Sequence, residues 1–160
     1  MAALVAPPGA YRLRVVANDA SGRGGTVDDE IRVELGRAGS LKLSALALAA
    51  PQGRSFSPAL EFHTEPAAVG YLEIYGVPKT ASVSVAFEMT AADDGRAVAT
   101  TPAAVHAASD AEDVRIGVGA IASLPPGDFV VRALVSLDGQ TVGAAVRTLR
   151  KADRQAWLGP

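Results

Sequence analysis

Several residue types that carry chemistry are scarce or missing in this chain. It has no cysteine, which excludes disulfides, thiolate metal sites and a cysteine nucleophile. No stretch approaches the roughly 20 apolar residues that a membrane-spanning helix needs. The formal net charge is -2 and no basic stripe is present, so we expect no nucleic-acid partner. Aromatic residues make up only 5% of the chain, which predicts a core of small β-branched side chains.

A Pro-Pro-Gly motif occurs twice, near the two ends of the chain. Residues 7–14 are Pro-Pro-Gly-Ala-Tyr-Arg-Leu-Arg, and residues 125–132 are Pro-Pro-Gly-Asp-Phe-Val-Val-Arg. Each copy is followed by an alternating apolar run, a glycine-containing turn and a second alternating run. A Pro-Gly turn followed by two such strands is typical of the closing hairpin of a β-sandwich. A whole domain's length of sequence precedes the second copy, and six residues precede the first.

The aromatic residue of the motif resembles the tyrosine corner of Greek-key sandwiches, in which a tyrosine hydroxyl bonds to nearby backbone. Tyr11 has the hydroxyl that this bond requires, and Phe129 lacks it. We therefore expect the second copy to hold its corner by packing alone.

Alternating apolar and polar residues predict about seven short strands after the first hairpin. The clearest alternation runs from Val83 to Met89, and the others lie at 41–48, 69–75, 96–101, 114–118, 131–137 and 142–146. This number and spacing predict an all-β fold, an immunoglobulin-like or fibronectin type III-like sandwich preceded by an extra β-hairpin. Residues 51–58 are predicted as a loop, and residues 102–111 as a loop or a frayed strand.

The domain organisation follows from the repeated hairpin. We expect residues 1–37 to be the closing β-hairpin of a truncated sandwich domain, with a short linker at 36–40. Residues 38–150 are predicted to be a complete β-sandwich, and residues 151–160 a C-terminal tail. A two-stranded ribbon is only marginally stable alone. The apolar face of the hairpin must therefore dock on the following sandwich or pair with a second copy of the chain in a homodimer.

No motif typical of a catalytic, metal or phosphate site is evident. His63 and His106 are the two histidines, and a zinc site needs three or four ligands. Neither Gly-x-Ser-x-Gly nor a phosphate-binding glycine motif occurs. We expect both histidines to be surface or strand-end residues, and we expect no catalytic residue, cofactor or metal.

Three acidic clusters are present, at 28–30, at 93–94, and at Asp110 with Glu112 and Asp113. None has the spacing of a known calcium loop. We expect them to be solvated turn residues that keep strand edges from associating, with a calcium site at one end of the sandwich as the alternative.

Longer segments around the two hairpins resemble a known bacterial family. They are Pro-Pro-Gly-Ala-Tyr-Arg-Leu-Arg-Val-Val-Ala at 7–17, Asp-Ala-Ser-Gly-Arg at 19–23, Tyr-Leu-Glu-Ile-Tyr-Gly at 71–76, Leu-Pro-Pro-Gly-Asp-Phe-Val-Val-Arg-Ala at 124–133 and Asp-Gly-Gln-Thr-Val-Gly at 138–143. Together they resemble the C-terminal tandem β-sandwich region of bacterial, notably acidobacterial, von Willebrand factor type A-related domain proteins. The resemblance implies an exported, non-enzymatic, protein-interacting module. The type A domain itself and its Asp-x-Ser-x-Ser metal motif are missing here, so no functional residue is carried over.

We therefore expect a non-catalytic interaction or spacer module from the C-terminal end of a larger, exported bacterial protein. Its partner is another protein or a neighbouring domain of the same polypeptide. The resemblance implies an extracytoplasmic location, and residues 1–7 lack the basic region of a signal peptide.

Two other functions stay open. One is a carbohydrate-binding accessory module of a secreted enzyme, with Tyr71, Tyr75 and Trp157 as stacking aromatics. The other is a small hydrolase, which requires a histidine against a carboxylate and a nucleophile in one pocket.

Overall fold

The computed structural model describes residues 9–52, 55–109, 111–122 and 125–152, and all regular structure in them is β-strand. The chain divides into two compact units, Met1–Leu35 and Gly36–Pro160. The first is a β-hairpin, and the second contains two largely antiparallel sheets that share one core. The predicted fold class, an all-β sandwich with an extra hairpin before it, is confirmed.

The first unit consists of strands β1 (Gly9–Asn18) and β2 (Gly24–Val33), which pair antiparallel over their whole length. Asp19 holds the turn between them. Its amide donates to the Arg23 carbonyl, and its carbonyl accepts from the Gly22 amide. Gly22 has a φ of 80°, a left-handed conformation that glycine adopts without strain. The predicted glycine turn is therefore confirmed, and a left-handed residue closing a tight turn is a common hairpin connection.

The second unit contains twelve described strands. They are β3 (Gly36–Ala38), β4 (Leu41–Leu43), β5 (Ala47–Gln52), β6 (Ser55–Pro58), β7 (Glu61–Phe62), β8 (Ala67–Tyr75), β9 (Val83–Ala91), β10 (Ala97–Pro102), β11 (Ala104–Ala107), β12 (Val114–Ala122), β13 (Gly127–Leu137) and β14 (Gln140–Lys151). The predicted Asp138-Gly139 turn joins β13 to β14, and both residues have positive φ, as a two-residue hairpin turn requires.

The strand order is that of an immunoglobulin-like sandwich. One sheet runs β10-β9-β13-β14, with β7 added in parallel at the end of β14. The other runs β11-β12-β8, and the far edge of β8 pairs with both β4 and β5. In the immunoglobulin fold, strands A, B, E and D form one sheet and C, F and G the other. Strands β8, β12 and β11 correspond to B, E and D, and β9, β13 and β14 correspond to C, F and G.

The core lies between the two sheets. Alternation along each strand turns every second side chain inward, and the clearest predicted alternation, from Val83 to Met89, forms β9. The largest fully buried side chains come from both sheets; they include Phe62, Leu72, Ile74, Phe87, Met89, Ile121, Val131 and Val135. Phe62, Phe87 and Phe129 belong to this core, and its other members are aliphatic residues and Met89. Leucines contribute to it alongside the predicted β-branched side chains.

A pair of glycines makes room for the ring of Phe87. Gly70 of β8 lies directly opposite Gly119 of β12, and Phe87 reaches them from the other sheet. A Cβ at position 70 would lie 2.8 Å from two ring carbons of Phe87, and one at position 119 would lie 3.0 Å from another. The missing side chains thus form a slot that the ring fills.

Residues 51–58 are predicted as a loop, but residues 51–52 and 55–58 belong to two paired strands, and residues 53–54 lie outside the described residues. Strand β5 pairs with β6 from Ala49 and Pro58 to Gln52 and Ser55. Prolines occur at positions 51 and 58, where an edge strand tolerates them, and they interrupt the alternation that predicts a strand. Residues 104–107 form β11 through pairing with β12, so the frayed-strand alternative is the correct one there.

The predicted linker and the start of the predicted tail are also strand. Gly36–Ala38 form β3, which pairs with β4 across a turn at Gly39. Ala38 is buried, and a Cβ on Gly143 of β14 would lie 2.8 Å from the Ala38 Cα. Strand β14 continues to Lys151, which is buried as well. These assignments depend on partners far along the chain, which local pattern does not reveal.

Candidate binding surfaces

Tyr71 and Tyr75 lie on the outer face of β8, as the alternation predicts. Leu72 and Ile74 point inward and are fully buried, whereas both tyrosines are partly exposed. Trp157, the third predicted stacking aromatic, lies outside the described residues. Two of the three predicted binding residues therefore share one strand and one face.

Glu73 stands between the two tyrosines and accepts a hydrogen bond from each. The Tyr71 hydroxyl donates to Glu73 Oε1 at 2.6 Å, and the Tyr75 hydroxyl donates to Oε2. The Glu73 amide donates to the Ser44 hydroxyl at 2.9 Å, in the gap between β4 and β5. We call Tyr71, Glu73 and Tyr75 the Tyr-Glu-Tyr cluster. Sequence analysis did not select Glu73, although Tyr-x-Glu-x-Tyr at two-residue spacing places all three on one face.

Both phenols of the cluster are held in the protonated form. Burial first, and then the hydrogen bond to Glu73, raise the pKa of Tyr71 to about 12. The hydrogen bond to Glu73 first, and then burial, raise the pKa of Tyr75 to about 12. The two phenols are therefore hydrogen-bond donors across the physiological pH range.

The strand next to the cluster continues the same outer face with apolar side chains. The cluster's partners on β12 are Val118, Ile116 and Val114. His106 of β11 is the next partner of Ile116, so Ile116 separates this histidine from the carboxylate of the cluster. Aromatic side chains are enriched at protein interfaces, and the two tyrosines lie beside these apolar residues on one face.

Both histidines are exposed, as predicted. His63 follows β7, and its amide donates to the Glu65 carboxylate at 2.7 Å. His106 lies on the edge strand β11. Among the described residues, no three or more histidine, aspartate or glutamate side chains come close enough together to hold a metal ion.

The acidic clusters occupy two kinds of position. Asp93 and Asp94 lie in the turn between β9 and β10, and Glu112 and Asp113 lie in the turn before β12, as predicted. Asp110 lies outside the described residues. The cluster at 28–30 is different because it lies within β2 rather than in a turn.

Asp28 anchors a charged face of the hairpin. Arg14, its direct partner across the strands, donates from Nε at 2.7 Å and from Nη2 at 2.9 Å. Arg12 adds a third hydrogen bond at 2.9 Å. Together these bonds, with Arg14 the main contributor, lower the pKa of Asp28. A forked guanidinium–carboxylate pair of this kind fixes the register of the two strands.

The opposite face of the hairpin is apolar and exposed. Tyr11 pairs with Ile31, and Val15 pairs with Val27. These side chains are 36%, 36%, 55% and 68% exposed, respectively. We call these four residues the hairpin apolar face. Exposed apolar groups gathered on one face of a two-stranded sheet are typical of an interaction site.

The two Pro-Pro-Gly motifs share one local arrangement, in which the aromatic ring covers the glycine two residues before it. A Cβ on Gly9 would lie 3.3 Å from the Tyr11 hydroxyl oxygen, and one on Gly127 would lie 3.2 Å from the Phe129 ring. Phe129 is only 4% exposed and belongs to the core, so the second corner is held by packing, as predicted. The hydroxyl bond expected for Tyr11 stays a prediction.

Lys151 links the end of β14 to the segment after β7 by hydrogen bonds. The sequence pattern did not predict this contact. Its Nζ donates to the carbonyls of His63 and Glu65, both at 2.7 Å. The backbone amides of Glu65 and His63, and then the charge of Lys151, lower the pKa of the Glu65 carboxyl group. The partners lie more than 80 residues before Lys151, so no local pattern signals the contact.

Among the described residues, no helix is long and apolar enough to cross a membrane. No protein-family model matches this chain, and no curated protein matches it either.

Proposed function

We propose that this chain is a non-catalytic β-sandwich module that mediates interaction or acts as a spacer in a larger, exported bacterial protein. The observation that carries this proposal is the hairpin apolar face, whose four side chains are 36–68% exposed. A two-stranded sheet gains little stability without a covered face. A module that keeps such a face available has a built-in site for a partner, whether another protein, a neighbouring domain or a second copy of the chain.

Export and relationship to von Willebrand factor type A-related proteins belong to the same proposal. They are supported by the resemblance of the segments at 7–17, 19–23, 71–76, 124–133 and 138–143 to that family. The shared arrangement of Gly9 with Tyr11 and of Gly127 with Phe129 supports the equivalence of the two hairpins. Two equivalent closing hairpins are what tandem sandwich domains would supply.

The test is removal of residues 1–35. The deletion ends there because Gly36 begins β3. If the hairpin is the interaction element, the full chain self-associates or is lost to aggregation more readily than the shortened chain, as measured by light scattering with gel filtration. The same oligomeric state, solubility and melting temperature for the two proteins would contradict the proposal.

A carbohydrate-binding accessory module is the second candidate function, favoured by the Tyr-Glu-Tyr cluster on the outer face of β8. Affinity electrophoresis on a panel of polysaccharides tests it. We expect Tyr71→Ala and Tyr75→Ala to abolish any retardation of the wild type. The matched control is Val146→Ala, which alters an exposed apolar residue of the other sheet and should leave mobility unchanged. No retardation of the wild type on any polysaccharide would remove this candidate.

A further inference from the structure

The outer edge of β14 is unpaired over most of its length. Strand β14 pairs with β13 from end to end but with β7 only at its last two residues. On that side the Arg150 amide donates to the Leu60 carbonyl. Backbone groups alternate in direction along a strand, so the amides and carbonyls of Thr148, Val146 and Ala144 point the same way. No described strand pairs with them, and an edge of this kind can accept another strand.

A groove of about 400 Å³ runs beside this edge. Its other wall is apolar and consists of residues 45–48 and 58–60, from and around β5 and β6. Arg147 of β14 also lines the groove and makes no ion pair or hydrogen bond with a described residue. A free edge, an apolar wall and one uncompensated cation together fit a strand whose inward side chains run apolar, acidic, apolar.

Strand β2 has that sequence of side chains. Val27, Asp29 and Ile31 lie on one face of it at two-residue spacing. Val27 and Ile31 are exposed, and Asp29, unlike its neighbour Asp28, makes no ion pair or hydrogen bond with a described residue. The edge of β2 away from β1 is free of any described strand.

The backbone directions of the two edges also agree. The Asp19 amide donates to the Arg23 carbonyl, so by alternation the odd-numbered residues of β2 bond to β1. The even-numbered residues therefore present their backbone groups to the free edge. An antiparallel register that places Asp28 against Thr148 and Glu30 against Val146 lets the backbone amides and carbonyls of the two edges bond to each other. The same register places Asp29 directly opposite Arg147.

We propose that β2 of one copy of this chain adds antiparallel to the free edge of β14 in a second copy. Asp29 then pairs with Arg147, and Val27 and Ile31 enter the apolar groove. Two copies can exchange hairpins reciprocally, which buries Val27 and Ile31 of each. The inference rests on the proposed function, association through the hairpin, and names both the partner and the surface that receives it.

The test uses charge reversal in the full-length chain. Arg147→Glu and Asp29→Arg should each weaken self-association by roughly tenfold or more, since each places like charges opposite one another at the contact. An equimolar mixture of the two variants should associate again, because each contact then joins opposite charges. Light scattering with gel filtration measures the mass, and circular dichroism confirms the fold. Arg150→Glu is the matched control; this exposed residue lies on the other face of β14 and should change association less than about twofold.

Failure of this inference is distinguishable from failure of the proposed function. If both reversals associate like the wild type while deletion of residues 1–35 abolishes association, the hairpin binds another surface. That result would contradict docking at the edge of β14. If each reversal weakens association but the mixture of the two variants does not recover it, the pairing of Asp29 with Arg147 between copies is contradicted. If the wild type does not associate and the deletion changes nothing, both the inference and the proposed function fail.

Discussion

At the scale of single residues, two glycines make room in the core for one aromatic ring. The ring of Phe87 occupies the slot that Gly70 and Gly119 leave open, and a methyl group at position 70 would lie 2.8 Å from it. Packing in protein interiors is dense enough that one added carbon forces a shift of side chain or backbone. The two glycines are therefore required by packing rather than by turn geometry.

We expect Gly70→Ala to destabilise the protein by about 1–3 kcal/mol, the usual cost of overpacking a core. Gly36→Ala is the matched control, because a Cβ there would meet nothing closer than 3.8 Å. Urea denaturation followed by circular dichroism measures both. A cost for Gly70→Ala no larger than for Gly36→Ala would show that the Phe87 ring moves freely.

Lys151 provides a second test at the residue scale. Its ammonium group is buried and bonds to two backbone carbonyls, and a hydrogen bond to a charged group contributes about 1.5–3 kcal/mol. Lys151→Met keeps an unbranched apolar side chain, one atom shorter, but removes the donors, so we expect a loss within that range. Arg150→Met, at the exposed neighbouring position, should cost under about 0.5 kcal/mol. Thermal melting that ranks the two variants equally would argue against this role of Lys151.

At the scale of elements, β8 joins a buried face to a polar cluster whose ionisation is linked to folding. The pKa values of Tyr71 and Tyr75 are raised to about 12, above the ordinary value near 10. Raised phenol pKa values mean that the folded state favours the neutral form. Their contribution to stability is therefore complete below about pH 10 and is lost as the pH rises toward about 12.

We expect the difference in tyrosinate absorbance between the wild type and the Tyr71→Phe/Tyr75→Phe variant to develop only as the pH approaches about 12. Glu73→Gln should lower both midpoints, because it removes the negative charge beside the phenols. A difference that develops fully near pH 10, the ordinary range, would contradict the hydrogen bonds to Glu73. Glu88→Gln, which alters a carboxylate on the other sheet, is the control.

At the scale of the whole molecule, the chain consists of two units with very different means of stability. Every member of the buried cluster, from Ala38 to Leu149, belongs to the second unit. A domain with its own core folds independently, whereas a lone hairpin does not. We expect residues 36–160 to unfold in one cooperative transition by calorimetry and residues 1–35 alone to lack stable β-structure by circular dichroism. A noncooperative transition for the longer fragment would contradict this division.

The regular part of the fold was predictable because its evidence is local. In β9 and β13, alternation alone identifies the inward residues, and Asp138-Gly139 identifies the turn. In β14 the alternation at 142–146 indicates the wrong face, since Val146 is 55% exposed and Leu149 is buried. The register of β14 against β13 shifts next to the turn, and the alternation does not reveal that shift. In β3, β6, β7 and β11 the strands are two to four residues long, which is too short for a period to emerge. Those segments are strands only because a neighbouring chain is present to pair with them.

The candidate sites also contain features that local spacing predicts and features that it does not. That Tyr71 and Tyr75 share an outward face follows from spacing, whereas the convergence of both hydroxyls on Glu73 needed side-chain positions. The bonds of Lys151 to residues 63 and 65, and the groove beside Arg147, join segments that lie far apart along the chain.

The sequence by itself therefore determined the class of fold, the repeated hairpin and the buried side of β8, β9 and β13, because these depend on period-two patterns and turn residues. Only the tertiary structure decided how the Pro-Pro-Gly hairpins differ in burial, why Gly70 is a glycine, and which edge of the sandwich lies open. Those features depend on contacts between residues far apart along the chain, and the local sequence does not specify which distant segments pack against each other.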